Sequence, residues 1–306
     1  MKTSKLQQTS VWERIKQQKI LLLMLLPGLA LTFIFRYIPM YGVLIAFKDY
    51  NPLRGMLGSE WIGFTEFTKF LSSPNFGTLL ANTLKLSIYG LLLGFLPPII
   101  LAIMLNQLLS DKAKKRIQLV LYAPNFISVV VIVGMIFLFF SVGGPVNSIL
   151  GKFGLETNFL TDPDFFRPLY ILSGIWQGMG WASTLYTATL VNVDPALIEA
   201  AKLDGANILQ RIWHIDLPAL KPMMVIQFIL AAGGIMNVGY EKAFLMQTSL
   251  NLTSSEIIST YVYKIGLISG DYSYSTAVGL FNALINIILL IAVNKFVQRI
   301  NDGQGL

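Results

Sequence analysis

Six long stretches of this chain carry almost no charge, and that feature limits its possible folds more than any other. A helix needs about 20 mostly apolar residues to cross the hydrocarbon core of a bilayer, since each residue advances it by about 1.5 Å. The stretches run from Ile20 to Phe47 with one interruption at Arg36, from Lys85 to Asp111, from Arg116 to Lys152, from Arg167 to Asp194, from Pro222 to Tyr240 and from Tyr272 to Asn294. Arg36 can snorkel to an interface. The prolines and glycines inside the stretches are tolerated because neighbouring helices can satisfy the backbone groups they free. With 54% of 306 residues hydrophobic and only 13% charged, a water-soluble globule with a charged surface is excluded. The sequence predicts an all-α integral membrane protein of six transmembrane helices, with both termini on one side.

The side follows from the placement of Lys and Arg. The N-terminal stretch, the 111–116 turn, the 194–221 loop and the C-terminus together carry 14 Lys+Arg and 7 acids, whereas the opposite side has 9 of each. The whole net charge of +7 therefore belongs to one face, which the positive-inside rule makes cytoplasmic. This assigns the charge to membrane orientation rather than to nucleic acid, which is not an expected partner. Residues 1–19 read as a basic cytoplasmic arm and not a secretory signal, because the small-residue stretch Gly28-Leu29-Ala30 sits inside an apolar run that continues to Phe35. Residues 20–300 form the expected six-helix transmembrane domain, and 301–306 a cytoplasmic tail. Of the outward segments, the first holds Trp61, Phe64 and Phe67, an aromatic group read as packing on helix ends or in the interface belt.

Several chemistries are missing from the sequence. It has no cysteine and a single histidine, His214, so thiolate nucleophiles, Cys-ligated metals and a histidine-built metal site are set aside. An intramembrane enzyme would need paired carboxylates or a comparable set, and the spans offer none. An ion-coupled secondary carrier is disfavoured because the spans lack a central ionisable residue. No phosphate-binding Gly-x-x-x-x-Gly-Lys-Ser/Thr loop occurs; Gly151-Lys152 is followed by Phe153.

The loop before the fifth span is the most informative segment. Asp194 can cap a helix that starts at Pro195, where a missing N–H costs nothing. Gly205 can take the left-handed conformation that ends this helix and turns the chain into a second one, which Pro218 is expected to close. The product is a short helix-turn-helix on the cytoplasmic surface. By geometry alone, an ordinary connecting loop with good caps reads the same way, and His214 beside it reads as a packing or interfacial residue.

The order of residues is more specific. Glu199-Ala200-Ala201, then Gly205 after three residues, then Ile215 after nine, then Leu217-Pro218 after one, resembles the coupling loop of permeases in binding-protein-dependent ABC importers. Tyr37-Ile38-Pro39 with Phe47, and Trp61 through Phe67, are similar to the same region of maltose-type sugar permeases. The strings from Pro39 to Gly42 and from Ala46 to Pro52, with Asn237 to Lys242 and Tyr274 to Gly279, resemble the subgroup importing complex or polymer-derived oligosaccharides. The resemblance implies a type I ABC importer permease fold with a cytoplasmic coupling helix, in the bacterial cytoplasmic membrane. It implies a second homologous permease subunit, two ATP-binding cassette ATPases carrying Mg-ATP, an extracellular lipoprotein-type sugar-binding protein, and no cofactor on this chain. Glu199, Ala200, Ala201, Asp204, Gly205, Ala206, Ile215, Leu217 and Pro218 would then meet the ATPase. A permease of this type for another small solute is the alternative.

A neutral oligosaccharide needs amides for its hydroxyls and aromatic faces for its C–H surface. In the sixth span Ser275, Gly279, Asn282 and Asn286 share one helix face. Gly233, Asn237 and Tyr240 do so in the fifth. Trp176 and Gln177, with Trp181 or Tyr186 further along, come from the fourth. Small and amide side chains also fasten transmembrane helices to one another, and that alternative stays open for each residue.

Overall fold

The computed structural model of the chain describes residues 18–236 and 238–300. The basic arm up to residue 17, Asn237 and the 301–306 tail lie outside the described residues. Helix α1 spans Lys19–Phe47, regular to Thr32, widened by a π-turn over Phe33–Tyr37 and tightened from Ile38 onward. Every residue from 18 to 41 is exposed. An element apolar all round with no buried face is stable only where lipid or another subunit replaces water. A short antiparallel pair, β1 Lys48–Asp49 and β2 Glu60–Trp61, then brings Phe47 onto Trp61 with ring centroids 5.6 Å apart. Phe64 and Phe67 pack on the same Phe47 ring, so the expected aromatic group assembles around one residue.

Helix α2 (Thr65–Leu71) leads into α3 (Phe76–Asn106), which begins well before the expected boundary at Lys85. Lys85 is exposed within the helix, so the charge ends the charge-free stretch without ending the helix. The stretch from Arg116 to Lys152 also divides. A basic amphipathic helix, α4 (Asp111–Tyr122), is N-capped by the Ser110 hydroxyl accepting from Ala113 N–H. Helix α5 (Val129–Phe140) follows, capped in the same way by Ser128.

Helix α6 (Pro163–Val191) is the centre of the molecule, packed along α3 and also touching α4, α5 and the fifth span. Its 29 residues are ample to cross a bilayer, yet it is not among the five helices both long and apolar enough by composition. Glycines, serines and threonines facing neighbouring helices lower its apolarity, as packing among membrane helices favours. At Gly180 the crossing is so close that a Cβ would sit 2.0 Å from the Leu121 carbonyl oxygen of α4.

After α7 (Pro195–Leu203) comes α8 (Ile208–Gly233), which differs from the expectation that Pro218 closes a short helix. A π-turn over Ile212–Asp216, in which Leu217 N–H reaches back to the Ile212 carbonyl, shifts the bonding frame just before Pro218. The proline then occupies the first turn of the following segment, where its missing N–H costs little, and the helix continues to Gly233. Helices α9 (Tyr240–Leu245), α10 (Ile258–Tyr263) and α11 (Tyr272–Ile300) complete the chain.

Three apolar clusters hold the array. Ile99 and Ala102 of α3 meet Tyr186 and Leu190 of α6 and Leu220 of α8. Ile132, Val133 and Ile136 of α5 meet Phe166, Leu169 and Ile171 of α6 and Ala243 of α9. Phe70 of α2 and Leu79 of α3 meet Ile258 of α10 and Tyr274 and Val278 of α11.

Candidate functional site

The segment after α6 folds by local rules. The Asp194 carboxylate accepts from Ala196 N–H at 2.9 Å and Pro195 opens α7. At its end, Ala206 N–H bonds to the Ala201 carbonyl at 2.9 Å and Gly205 N–H to the Lys202 carbonyl at 3.1 Å. This is a Schellman closure, and it requires the φ of +75° that Gly205 adopts. Asn207 and Gln210 then form a reciprocal capping box that starts α8.

The turn brings the two halves of the motif together. Ala201, Asp204, Gly205 and Ala206 face Gln210, Arg211, His214 and Ile215 across a hollow of about 340 Å³. His214 Nδ1 lies 2.9 Å from the Gln210 carbonyl oxygen, a packing contact within its own helix. Glu199 and Ala200 are exposed on α7, Leu217 is half-buried and Pro218 exposed, outside the hollow. No residue of α7 is buried. Leu203 is 89% exposed and Trp213 70% exposed, each next in sequence to a residue of the hollow, which motif spacing alone did not reveal. Behind it the buried Asp216 accepts from the Gln107 amide at 2.8 Å and ties the start of α8 to the end of α3.

The polar residues expected along a substrate path separate into two groups. A cavity of about 690 Å³ is lined by Tyr240 of α9 and by Ser275, Gly279 and Asn282 of α11, with Tyr263 and Tyr272 beside them. Asn282 Oδ1 is buried there without a hydrogen-bond partner. Asn286, one turn on, is fully engaged elsewhere: its amide donates to the Gly233 carbonyl at 2.8 Å and accepts from Met236 N–H at 3.1 Å. Gln177 likewise donates to the Ile127 carbonyl at 2.9 Å. Trp176 lines a separate apolar hollow with Phe139, Phe140 and Phe165. Sequence reasoning did not single out Tyr263, which lies between the fifth and sixth runs, or Tyr272, which opens the sixth, although Tyr263 packs on Tyr240 with ring centroids 5.6 Å apart.

A family model described as the binding-protein-dependent transport system inner membrane component matches residues 98–302. Protein LplB of Bacillus subtilis (strain 168) is 44% identical over 294 residues, covering 95% of this chain and 92% of its own. The polygalacturonan/rhamnogalacturonan transport system permease protein YteP of the same organism is 43% identical over 291 residues, covering 94% and 91%. Among solved structures, a chain of a bacterial ABC transporter involved in import of the acidic polysaccharide alginate superposes with a TM-score of 0.86 at 38% identity, over 95% of this chain and 99% of that one. A second structure, of a bacterial alginate transporter in complex with an alginate pentasaccharide-bound periplasmic protein, gives the same score at 37% identity, over 97% and 99%.

Proposed function

The chain belongs to the inner membrane components of binding-protein-dependent transport systems, and from that premise we propose that the turn between α7 and α8 is where it receives mechanical work from an ATPase. It is the permease subunit of an ABC oligosaccharide importer in the bacterial inner membrane, working with a second permease, ATPase subunits and a binding protein. Mg-ATP is bound and hydrolysed on two partner ATPases, and α7 seats in a groove on one of them. The observation that carries this is the convergence of Ala201, Asp204, Gly205 and Ala206 with Ile215 around one hollow, together with the exposure of the neighbouring Leu203 and Trp213, which the described chain leaves largely uncovered. Glu199 offers the charge at that surface, and Ala200 permits close approach.

Six spans over residues 20–300, with the 194–221 loop and both termini cytoplasmic, complete the reading, supported by the charge asymmetry between the faces. The part of α1 up to Tyr41, exposed throughout, packs on the second permease. Tyr240 and Asn282 contact sugar from the α9 and α11 side of the large cavity. Trp176, Gln177, Asn237 and Asn286 remain candidates of lower rank, since the contacts of Gln177 and Asn286 are those of helix fasteners.

Gly205→Val tests the coupling. A Cβ at Gly205 meets no atom within 4 Å, so the substitution acts only through the left-handed φ, at a cost of about 1–2 kcal/mol for a β-branched residue. The variant should insert and assemble, while uptake and substrate-stimulated ATPase activity fall together. Unchanged uptake with unchanged stimulation would remove the turn from the coupling path.

A further inference from the structure

Two cations on the outer half of α6 and on α9 have no acidic partner. Among the described residues, ion pairs join Lys69 to Glu66 and Asp271, and Lys264 to Glu256. Lys242 and Arg167 take part in none. Lys242 is only 8% exposed, and its ammonium donates to the Tyr170 carbonyl at 3.0 Å and lies 4.9 Å from the Tyr170 ring centroid. Gly174 makes room for it, since a Cβ there would lie 3.4 Å from Nζ. One turn outward, the Arg167 guanidinium donates from Nη2 to Asn82 Oδ1 at 2.8 Å, and its Nε is buried without a partner. The Asn82 amide is itself held by the Thr253 and Glu256 carbonyls, which fixes its oxygen toward the arginine.

Tyr170 and Gly174, which Lys242 touches, open onto a groove. Arg167, Tyr170, Gly174 and Gly178 fall at i, i+3, i+7 and i+11, one face of α6. Tyr170, Gly174 and Gly178 line a groove of about 320 Å³ whose other wall is Gly90 and Gly94 of α3. A further hollow of about 300 Å³ shares Gly90 and Gly94 and extends to Gln227 of α8. Glycines are interleaved there with Pro98, Ile171, Ile175 and Met179, and the Lys242 ammonium stands behind the wall at Gly174.

We propose that Lys242 and Arg167 form a cationic subsite on the α3/α6 groove that takes the carboxylates of a uronic-acid oligosaccharide during import. This rests on the importer reading and adds to it: amides and tyrosines serve hydroxyls and C–H faces, and the subsite serves the acid. A buried ammonium without a counter-ion is costly, and burial lowers the Lys242 pKa to about 8, a value that still leaves it mostly charged at neutral pH. A carboxylate arriving in the groove supplies the missing charge through charge-assisted hydrogen bonds. The contacts are few, so the acid can leave again. The glycines allow a bulky sugar ring to approach the backbone. Similarity points the same way, since one relative is named for polygalacturonan and rhamnogalacturonan transport and the solved neighbour imports an acidic polysaccharide.

The test uses the complete importer with its binding protein in proteoliposomes, with short oligogalacturonides and oligoalginates as probes and their carboxyl-reduced forms as neutral counterparts. Because the binding protein is unchanged, the ratio of variant to wild-type uptake isolates the permease. Lys242→Met should lower uptake of an acidic probe at least tenfold, the scale of one lost charged hydrogen bond, with assembly and basal ATPase activity unchanged. Lys242→Arg should retain most of the uptake, and Arg167→Gln should show a weaker loss of the same selectivity. Uptake of a carboxyl-reduced probe should be the same in all variants. Wild-type rates for acidic probes in both Lys242→Met and Arg167→Gln would overturn the subsite, as would an equal fall for acidic and neutral probes or a loss of assembly with no charge selectivity in Arg167→Gln. A wild-type complex that imports only neutral probes would remove the acidic cargo and leave the importer standing. One that imports no saccharide with ATP would remove the importer reading itself.

Discussion

Asn282 and Asn286 lie one turn apart on the same face of α11, and nothing in their spacing distinguishes them. Their surroundings do. Asn286 bonds the Gly233 carbonyl and the Met236 N–H where α8 ends, so it satisfies backbone groups that the helix terminus leaves open. Asn282 lines the large cavity, and its oxygen is buried without a partner. Asn286→Leu should therefore cost about 1–2 kcal/mol and lower the thermal stability or assembly of the complex, affecting all cargo equally. Asn282→Leu should leave stability within about 0.5 kcal/mol, or raise it, and reduce uptake with a changed preference among sugars. Thermal unfolding and uptake measured on the same two variants decide this, and the reverse pattern would exchange their roles. At this scale the sequence placed both residues on one face and could not rank them, because a hydrogen-bond partner across 50 residues leaves no trace in local periodicity. Arg167 and Lys242 were hidden for a related reason: the first served only to mark where a run begins, the second only to close a family-like string, and only the fold shows that no acid pairs with either.

At the scale of elements, the most legible piece was the α7 turn, where cap, proline, glycine and second cap each act on backbone groups within a few residues. The Schellman bonds at Ala206 and Gly205 realise that reading directly. The termination at Pro218 was not legible, because a π-turn upstream changes what the proline would disrupt. Nor was the closeness of α4 to Gly180, which depends on two elements meeting rather than on either alone. The orientation of the elements is predicted from charge: the 194–221 loop should face the cytoplasm and the loop before α6 the outside. In this cysteine-free chain, a single cysteine at Asn158 should react with an impermeant thiol reagent in intact cells, and one at Leu203 should react only after the membrane is opened. Labelling of Leu203→Cys but not of Asn158→Cys in intact cells would invert the topology.

For the whole molecule, the composition excluded a soluble fold, and the arrangement of exposed apolar surface says where the missing partners belong. In the proposed reading, lipid or a second permease covers the exposed part of α1, a sugar enters the cavity lined by Tyr240 and Asn282, and an ATPase covers the α7 hollow. Each surface is incomplete in the chain by itself, as expected of one subunit in an assembly whose energy enters through a loop and not through an ionisable residue in a span. The most direct test of this account is uptake by proteoliposomes holding the complete complex, with oligosaccharide-loaded binding protein on one side and ATP on the side of the α7 turn, in the presence of ionophores that collapse all ion gradients. The account predicts that labelled oligosaccharide accumulates on the ATP side, that accumulation requires hydrolysable ATP and binding protein, and that ionophores leave its rate unchanged; accumulation that persists without ATP and stops when the ion gradients collapse would contradict it.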